Sequence, residues 1–370
     1  MGSSSDWIHT CNAVLIGILV QSPVGALIDH TRHKRWLILM ASVVIAISCL
    51  VVIFFPNFYA IALSQSAVGL VQAVFHPCVT GITLGIVGHK LLSQRIGRNE
   101  SLNHLGNMVG AIASGLIGWY ISYEGIFYFS IFQAVAMIFA VLMIREKDID
   151  HLVARSAVSE SKDRPSITTI KSLFSDKDIL FFTFAMALFH FANGAMLPLL
   201  GQKIGISDVE YSALYLSICI IIAQAVMVLV APMASRFASN GRKNVMLMAF
   251  VLLPLRAFLF ATIDNNYALI SLQVLDGLGA GIFGVISILM MADLSKGTGH
   301  FNLLQGTVYA AMGLGISFST IFSGFVVKNF GYSAGFITLG IAGILALMFF
   351  GLLIRESLGI SKEKMDTVPV

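Results

Sequence analysis

Two residues of opposite charge, Arg256 and Asp276, lie inside long apolar stretches of the sequence. A charge surrounded by hydrocarbon costs several kcal/mol unless it is paired or hydrated. The turn between the two stretches centres near residue 266, so each charge lies about ten residues, or about 15 Å, from it along a helix. We therefore expect the two side chains at one depth on antiparallel neighbours. Two interpretations are open: a structural ion pair, which we favour, or an Asp276 that lines a cavity and helps to couple protons.

Other polar side chains in apolar stretches are candidates for a substrate or proton pathway. His76 follows Gln72 by one helical turn, and His190 lies close to Asn193. Histidine titrates near neutral pH, which suits proton coupling. A lone histidine in a membrane is nevertheless more often a hydrogen-bonded packing residue, so both interpretations stay open.

A denser polar face is predicted at the start of one helix, where Glu100 and His104 are four residues apart and could pair. We include both residues among the pathway candidates. Their place at a helix start favours a gate at one membrane surface over a central binding site. The other members of the face are Asn99, Asn103 and Asn107.

Several familiar chemistries lack their motifs. Gly279, Gly281 and Gly284 match the GxGxxG nucleotide fingerprint in letters only, because they lie in a long apolar helix without a βαβ unit. No phosphate-binding GxxxxGK[ST] loop, HExxH zinc motif, paired intramembrane aspartates or Ser/His constellation is found. Four scattered cysteines show no CxxC spacing. We predict no enzyme activity, no cofactor and no metal site.

The composition shows what must position these residues. Charged residues make up 11% of the chain and hydrophobic residues 57%, and the mean hydropathy is +0.87. A soluble domain carries about 25% charged residues, so this chain has too little polar surface for water. Lipid must be its main solvent.

The apolar residues form eleven stretches long enough for membrane helices, each of about 20 residues. Open sheets are excluded in lipid because their backbone groups would stay unpaired, and a barrel would show short alternating segments. The sequence therefore predicts an all-α polytopic membrane protein. The stretches are 11–28, 36–55, 59–87, 102–121, 126–144, 179–200, 211–233, 244–263, 267–292, 301–327 and 332–354.

The basic residues predict the orientation. All but three of the 23 Lys and Arg residues lie in loops on one side of the predicted membrane. The exceptions are Lys203 and Lys328 on the other side and Arg256 within a helix. The positive-inside rule makes the basic side cytoplasmic, with the amino terminus outside and the carboxyl terminus inside. The basic charge thus reflects topology and not nucleic-acid binding.

A polar stretch divides the chain into two halves. We predict helical bundles over 1–145 and 179–370, joined by a cytoplasmic linker over 146–178 with a short interfacial helix near 167–174. Pro23 and Pro232, like Lys34 and Lys243, are 209 residues apart. Such weak internal repetition is typical of transporters built from two parallel repeats. A second recurrence, at a spacing of 206, relates Gly118 and Gly125 to Gly324 and Gly331.

The segment from Gly25 to Arg35 resembles the loop signature of the major facilitator superfamily, roughly Gly-x-Leu-Ala-Asp-Arg-x-Gly-Arg-Lys. Gly25, Asp29 and Lys34 match, whereas His30 and His33 stand in place of arginines. In the second copy, Ala238 stands where the aspartate would be. The signature positions of the two copies are Gly25, Asp29, Lys34, Arg35, Gly241, Arg242 and Lys243.

This resemblance implies a gating role for Asp29. A carboxylate near the carboxyl end of a helix faces the negative pole of the helix dipole and needs compensation. The resemblance places that compensation at the amino end of the tenth predicted helix, near Gly299 and His300, together with loop arginines. Such a contact would close the cytoplasmic side while a cavity opens outward.

The resemblance also implies two pseudo-symmetric bundles of six helices, whereas this sequence shows five and six. The missing helix is the first. We favour a misplaced start or a truncated gene over a true eleven-helix protein. The segment from Gly106 to Gly115 loosely resembles a glycine pattern of the family's exporters, with close helix packing as the equal alternative.

The resemblance implies a monomeric secondary transporter of a small organic solute, working by alternating access in a bacterial inner membrane. A coupling proton is expected, with export favoured over import by a narrow margin. The alternative is a degenerate, non-transporting relative that acts as a receptor or scaffold.

Overall fold

The computed structural model describes residues 4–158, 175–207 and 211–358. The short helix predicted near 167–174 lies outside these residues. The described chain is helical nearly throughout, as the apolar runs predict. Its α-helices are α1 (Ser4–His30), α2 (Lys34–Phe54), α3 (Phe58–Tyr120), α4 (Tyr123–Leu142), α5 (Lys177–Asn193), α6 (Met196–Ser207), α7 (Ser212–Phe237), α8 (Lys243–Thr262), α9 (Asn266–Ser271), α10 (Gln273–Leu294) and α11 (Phe301–Leu353). Short 3₁₀ turns cover Glu146–Asp148, Val153–Arg155 and Ala238–Asn240.

Two of these helices are each a pair of helices joined at a glycine. At 63 and 53 residues, α3 and α11 would measure about 95 and 80 Å, far more than the roughly 30 Å of one crossing. Gly88 has φ 67° and Gly331 has φ 85°, a conformation that glycine adopts at little cost. The joint divides α3 into segments 58–87 and 89–120, and α11 into segments 301–330 and 332–353.

The second segment of α3 corrects one predicted boundary. We expected a loop over 88–101 and a helix from 102, but the helix continues from residue 89. The basic residues that suggested a loop, Arg95 and Arg98, are exposed on the helix surface. Helical backbone and charge are compatible here because only one face of the segment packs against protein.

Two other predicted helices are interrupted. Residues 194 and 195 separate α5 from α6, and Leu272 separates α9 from α10. Among the described residues, eight helices are long and apolar enough to cross a membrane. This number counts α3 and α11 as one helix each, and likewise α5 with α6 and α9 with α10. Large apolar side chains such as Trp119 (84% exposed) and Ile321 (71% exposed) lie on their outer surfaces. The prediction of an all-α polytopic membrane fold is confirmed.

The chain forms two compact units that interleave in sequence. The first contains residues 1–92, 110–171 and 295–310, and the second contains 93–109, 172–294 and 311–370. The first unit has a core of aliphatic side chains around Ile28, Ile38 and Ile82. The second has stacked rings, with Phe189 against Phe283 and Phe250 against Phe350. The predicted halves, 1–145 and 179–370, follow the repeat and stay a prediction.

Candidate functional site

Asp29 lies one residue before the end of α1 and is almost fully buried, with 3% of its surface exposed. Its Oδ1 accepts hydrogen bonds from the backbone N (3.0 Å) and Nδ2 (2.7 Å) of Asn302, and its Oδ2 accepts one from the backbone N of Leu303 (2.8 Å). The first backbone N–H groups of a helix have no partner within that helix, and they attract negative charge. Asp29 therefore caps the start of α11, two to three residues beyond the predicted contact.

The backbones of α1 and α11 touch beside this carboxylate. A Cβ atom on Gly25 would lie 2.2 Å from the carbonyl oxygen of Asn302, and one on Gly306 would lie 2.2 Å from the carbonyl oxygen of Gln21. No side chain fits at either position. The glycines let the helices approach closely enough for Asp29 to reach the N–H groups.

The basic residues of the first signature copy bind other elements. Lys34 is buried, and its Nζ donates to the carbonyl oxygen of Thr31, near the end of α1 (2.8 Å). Arg35 Nη1 lies 3.3 Å from Glu146 Oε2, and its Nη2 donates to the carbonyl oxygen of Leu142 at the end of α4. These bonds fix the start of α2.

His300 precedes α11 and adds no positive charge to this site at neutral pH. Burial lowers the pKa of its imidazole, and the charges of His30 and Arg155 lower it further. The Asp29 carboxylate is therefore stabilised mainly by the donors of Asn302 and Leu303, with a smaller contribution from the positive charge of Lys34.

A strap of residues 146–158 closes the same region, at the start of the predicted linker. Asp150 donates its backbone N–H to the carbonyl oxygen of Gly85 (3.0 Å), and Asn302 Nδ2 donates to the carbonyl oxygen of Ala154 (3.2 Å). Ala154 is fully buried. Buried backbone groups need such partners, so the strap is a packed part of the first unit.

The second signature copy uses a different acid. Glu356, just beyond α11, accepts from the backbone N of Arg242 (2.8 Å) and of Lys243 (3.0 Å) at the start of α8. Arg242 Nε lies 3.1 Å from Asp293 Oδ2. A Cβ on Gly241, which has φ 145°, would lie 3.0 Å from Glu356 Oε2. Gly241, Arg242 and Lys243 thus form an anion-binding helix start that an internal carboxylate fills.

Neither Glu146 nor Glu356 was a candidate from sequence, although a signal was present. Ile144-Arg145-Glu146 recurs as Ile354-Arg355-Glu356, 210 residues later. This spacing differs by one from that of the signature copies. The recurrence marks the two acids that hold the two basic loops.

Arg256 and Asp276 form an ion pair. Arg256 is buried, and its Nη2 also binds Asn193 Oδ1 and lies 3.2 Å from Met196 Sδ. Among the described residues, its Nε has no hydrogen-bond partner. The pair therefore neutralises a charge inside the second unit.

Both helix interruptions of this unit meet at the pair. Asn193 ends α5, and Asp276 lies in the first turn of α10, where the helix dipole favours a carboxylate. The backbone N–H of Ala195, within the first interruption, donates to Ser319 Oγ (3.1 Å). The ion pair and Asn193 line a small cavity with Phe189, Leu252 and Gly279. Transporter sites are often built at such interruptions.

His190 is part of the aromatic core of the second unit. Its ring lies 4.9 Å from that of Phe283, and its Nδ1 is 3.2 Å from the carbonyl oxygen of Met186. This environment matches the interpretation of His190 as a hydrogen-bonded packing residue. The structure brings His190 and Asn193 to one region, together with Arg256 and Asp276.

The other candidates lie in two further places. Gln72 and His76 are exposed on one face of α3 in the first unit, and the His76 ring lies 5.5 Å from that of Tyr309. Glu100 and His104 lie in the second unit, and His104 Nδ1 is 2.8 Å from Gln224 Oε1. His104 thus has a different partner from the one that its spacing to Glu100 suggested.

The apolar helices, their glycine joints and the capped helix starts define a polytopic α-helical membrane protein. A model of the Major Facilitator Superfamily matches residues 2–263 and 228–365. The chain belongs to this family of membrane transporters, whose members are generally not enzymes. This confirms the resemblance seen in the signature.

Two kinds of relative agree with this assignment. An uncharacterized MFS-type transporter of Mycobacterium tuberculosis, present in strains CDC 1551 / Oshkosh and ATCC 25618 / H37Rv, is 37% identical over 330 residues, which cover 88% of this chain and 78% of that protein. The crystal structure of the human organic anion transporter MFSD10 (TETRAN) has a TM-score of 0.70 at 17% identity and covers 93% of this chain and 82% of that one. The second likeness concerns the fold alone.

Proposed function

We propose that this protein carries a small organic solute across a bacterial inner membrane by alternating access, coupled to protons, and that export is its direction. The protein acts as a monomer, with its basic loops and carboxyl terminus in the cytoplasm. Family membership supports secondary transport. The remaining details rest on the residues described above.

The contact of Asp29 with α11 carries this proposal. Its donors, Asn302 and Leu303, come more than 270 residues later in the sequence. Three hydrogen bonds to one carboxylate form a small polar contact between helices that are otherwise joined through glycine backbone. Such a contact can break and reform as a unit, as the cytoplasmic gate of an alternating-access transporter requires.

Direction and coupling rest on other residues. The glycine pattern from Gly106 to Gly115 favours export. Gln72 and His76 form an exposed polar face in a membrane-spanning segment, which suits contact with a solute. Arg256 and Asp276 serve structure, because each charge is satisfied by the other.

The test is flux in proteoliposomes that contain the purified full chain. Vesicles loaded with a pH-sensitive dye receive a panel of small organic cations, anions and neutral solutes, with and without a pH gradient. We expect at least one solute to move protons across the membrane. Absence of flux for the whole panel would favour the receptor or scaffold alternative.

Asp29→Asn is the decisive variant in this assay. It keeps the side-chain shape but places an amide where two acceptor oxygens are needed, so we expect insertion to persist and flux to fall. Glu124→Gln, an exposed substitution in the same unit and outside the strap, is the matched control. Equal flux in both variants at equal protein content would remove Asp29 from the gate.

A further inference from the structure

Glu100 is an acidic residue in the second segment of α3 with 8% of its surface exposed. This segment packs against α7, where Ser101 Oγ donates to the carbonyl oxygen of Val228 (2.7 Å). On the side of α10, a Cβ on Gly284 would lie 3.8 Å from Glu100 Oε2. The carboxyl group is therefore enclosed where three helices meet.

The polar partners of Glu100 are few. Asn103 Nδ2 lies 3.4 Å from its Oε2, a long hydrogen bond to a neutral amide. None of the ion pairs formed by the described residues includes Glu100. The four-residue neighbour His104 binds Gln224 through Nδ1, and its Nε2 is buried with no hydrogen-bond partner among the described residues.

The other charged groups on the helices around Glu100, namely the second segment of α3, α7 and α10, lie away from its carboxyl group. Asp276 and Asp293 on α10 are eight and nine residues from Gly284, about 12 Å or more along a helix. Asp276 forms an ion pair with Arg256, and Asp293 forms one with Arg242. The remaining titratable groups on these elements are His89, Lys90, Arg95, Arg98 and Tyr120 on the second segment of α3, and Tyr215, Cys219 and Arg236 on α7. His89, Lys90 and Tyr120 each lie ten or more residues from Glu100 along the helix.

A buried carboxylate without a cation is costly, because it loses water and gains no opposite charge. A proton removes that charge and leaves a neutral acid that fits an interface of apolar and amide groups. When the helices separate, water can stabilise the carboxylate again. Closure of this contact is thus linked to uptake of one proton.

We propose that Glu100 is the proton-binding group of this transporter, and that the contact of its helix with α7 and α10 closes only when Glu100 carries a proton. On opening, the acid's O–H bond breaks and the proton passes to water on the side that gains access. This inference rests on the proposed function, since it names the coupling group of the gate. It assigns the proton to Glu100 and leaves Asp276 as the partner of Arg256.

The test measures the contact without any solute. Spin labels are attached to cysteines placed at the exposed residues Gln94 and Ser239, on either side of the contact, after the four native cysteines have been replaced. Double electron–electron resonance then gives the distance distribution in full-length protein in nanodiscs between pH 5.5 and 8.5. We expect a short distance at low pH and a longer one at high pH.

One proton bound on closure should change the ratio of closed to open protein about tenfold per pH unit at most. Glu100→Gln should keep the short distance at all pH values. Glu124→Gln, at an exposed position outside the contact, should keep the pH response. A constant distance in the unsubstituted protein, or an unchanged pH response in Glu100→Gln, would overturn the inference.

A second pair of variants covers the case in which Glu100→Gln does not fold. Gly284→Ser adds a hydroxyl donor beside Glu100 Oε2, and Gly284→Ala adds the same Cβ without the donor. A hydroxyl that stabilises the buried carboxylate should move the opening midpoint about one pH unit higher than in Gly284→Ala. Equal midpoints would contradict the proposal. Because no solute is needed, a negative flux assay and a negative distance assay remain distinguishable.

Discussion

In the first copy of the signature, Asp29 binds the start of α11, whereas the second copy has Ala238 at the corresponding position. The difference follows from the partner helix. α11 begins at Phe301, so the N–H groups of its first turn are free to bind a carboxylate. The partner of the second copy is the segment 93–101, well past the joint at Gly88, where the N–H groups are bonded within the helix.

The second contact therefore uses hydroxyl groups. Ser93 and Ser101 donate to the carbonyl oxygens of Ser235 and Val228, each at 2.7 Å. A carboxylate in this place would find no backbone donors. The loss of the aspartate in the second copy is thus a consequence of where its partner helix begins, and an aspartate in this signature indicates a helix start across from it.

The close approach of the helices is also arranged differently. In the first copy α1, the helix before the signature loop, has Gly25 at the contact. In the second copy α7 has Ala234 at the corresponding position. There the partner supplies the space, since a Cβ on Gly97 would lie 2.4 Å from that of Ser235. The first contact thus has a glycine on each helix, Gly25 on α1 and Gly306 on α11, whereas the second has Gly97 on the partner helix and an alanine on α7.

The largest effect is expected for Gly25→Ala, which tests the glycine that the first copy has on α1 and the second copy lacks. Its new Cβ would overlap the carbonyl oxygen of Asn302 at 2.2 Å, and backbone cannot move aside as a flexible side chain can. We expect a loss of about 3 kcal/mol or more of stability, seen as a large fall in the melting temperature by tryptophan fluorescence in detergent.

Ala234→Gly is the matched control. It creates no overlap and should cost about 1 kcal/mol, the ordinary penalty of glycine in a helix. A melting temperature for Gly25→Ala equal to that of Ala234→Gly would mean that the first contact is looser than described.

A smaller effect is expected for Asp29→Ala, which gives the first copy the residue of the second. It leaves the buried N–H groups of Asn302 and Leu303 without acceptors, at about 1–3 kcal/mol for each unsatisfied group. Part of this loss is offset because the variant no longer buries a carboxylate, whose desolvation is costly. The reverse change, Ala238→Asp, buries a carboxylate where the partner helix offers no free N–H group. We expect both variants to melt at lower temperature than the parent protein.

The double variant distinguishes the two copies. If the contacts are independent, the two losses should add in Asp29→Ala/Ala238→Asp. Normal stability of Ala238→Asp would show that Arg242, which donates to the carbonyl oxygen of Ala238 (2.7 Å), has turned to the new carboxylate.

Much of this comparison could be predicted from the sequence. The apolar runs located every described α-helix, and the resemblance of the signature to the family's loop implied a contact near the start of α11. The proposed coupling residue, Glu100, was among the candidates because it belongs to a dense polar face at a predicted helix start, four residues before His104. These features depend on local pattern, which a single sequence carries.

Other features depend on contacts that no local pattern records. The polar character of 89–101 suggested a loop, but one packed face is enough to keep it helical. The strap of 146–158 looked like linker, because its burial depends on backbone acceptors such as the carbonyl oxygens of Gly85 and Ala154. Asn302 was missed because an amide next to a helix start is common, and its role is set by Asp29.

The smallest effects are expected for the two acids of the Ile-Arg-Glu recurrence. Glu356 accepts from the backbone N–H groups of Arg242, just before α8, and Lys243, its first residue, at 2.8 and 3.0 Å. Glu146 receives Arg35 at 3.3 Å, with 39% of its side chain exposed. A carboxylate at a partly buried helix start contributes up to about 2 kcal/mol, whereas an exposed ion pair contributes about 0–1 kcal/mol. Glu356→Gln should therefore lower the melting temperature more than Glu146→Gln does.

Salt separates the two cases further. Exposed pairs are screened at high ionic strength, and buried ones much less. The difference between Glu146→Gln and the parent protein should shrink as NaCl rises from 0.05 to about 0.5 M, a range over which the Debye length falls severalfold. The difference for Glu356→Gln should persist, because a backbone N–H that Glu356 accepts belongs to Arg242, which is buried. Equal salt sensitivity would mean that both acids act as ordinary surface charges, and the second copy would then lose its distinct helix-capping carboxylate.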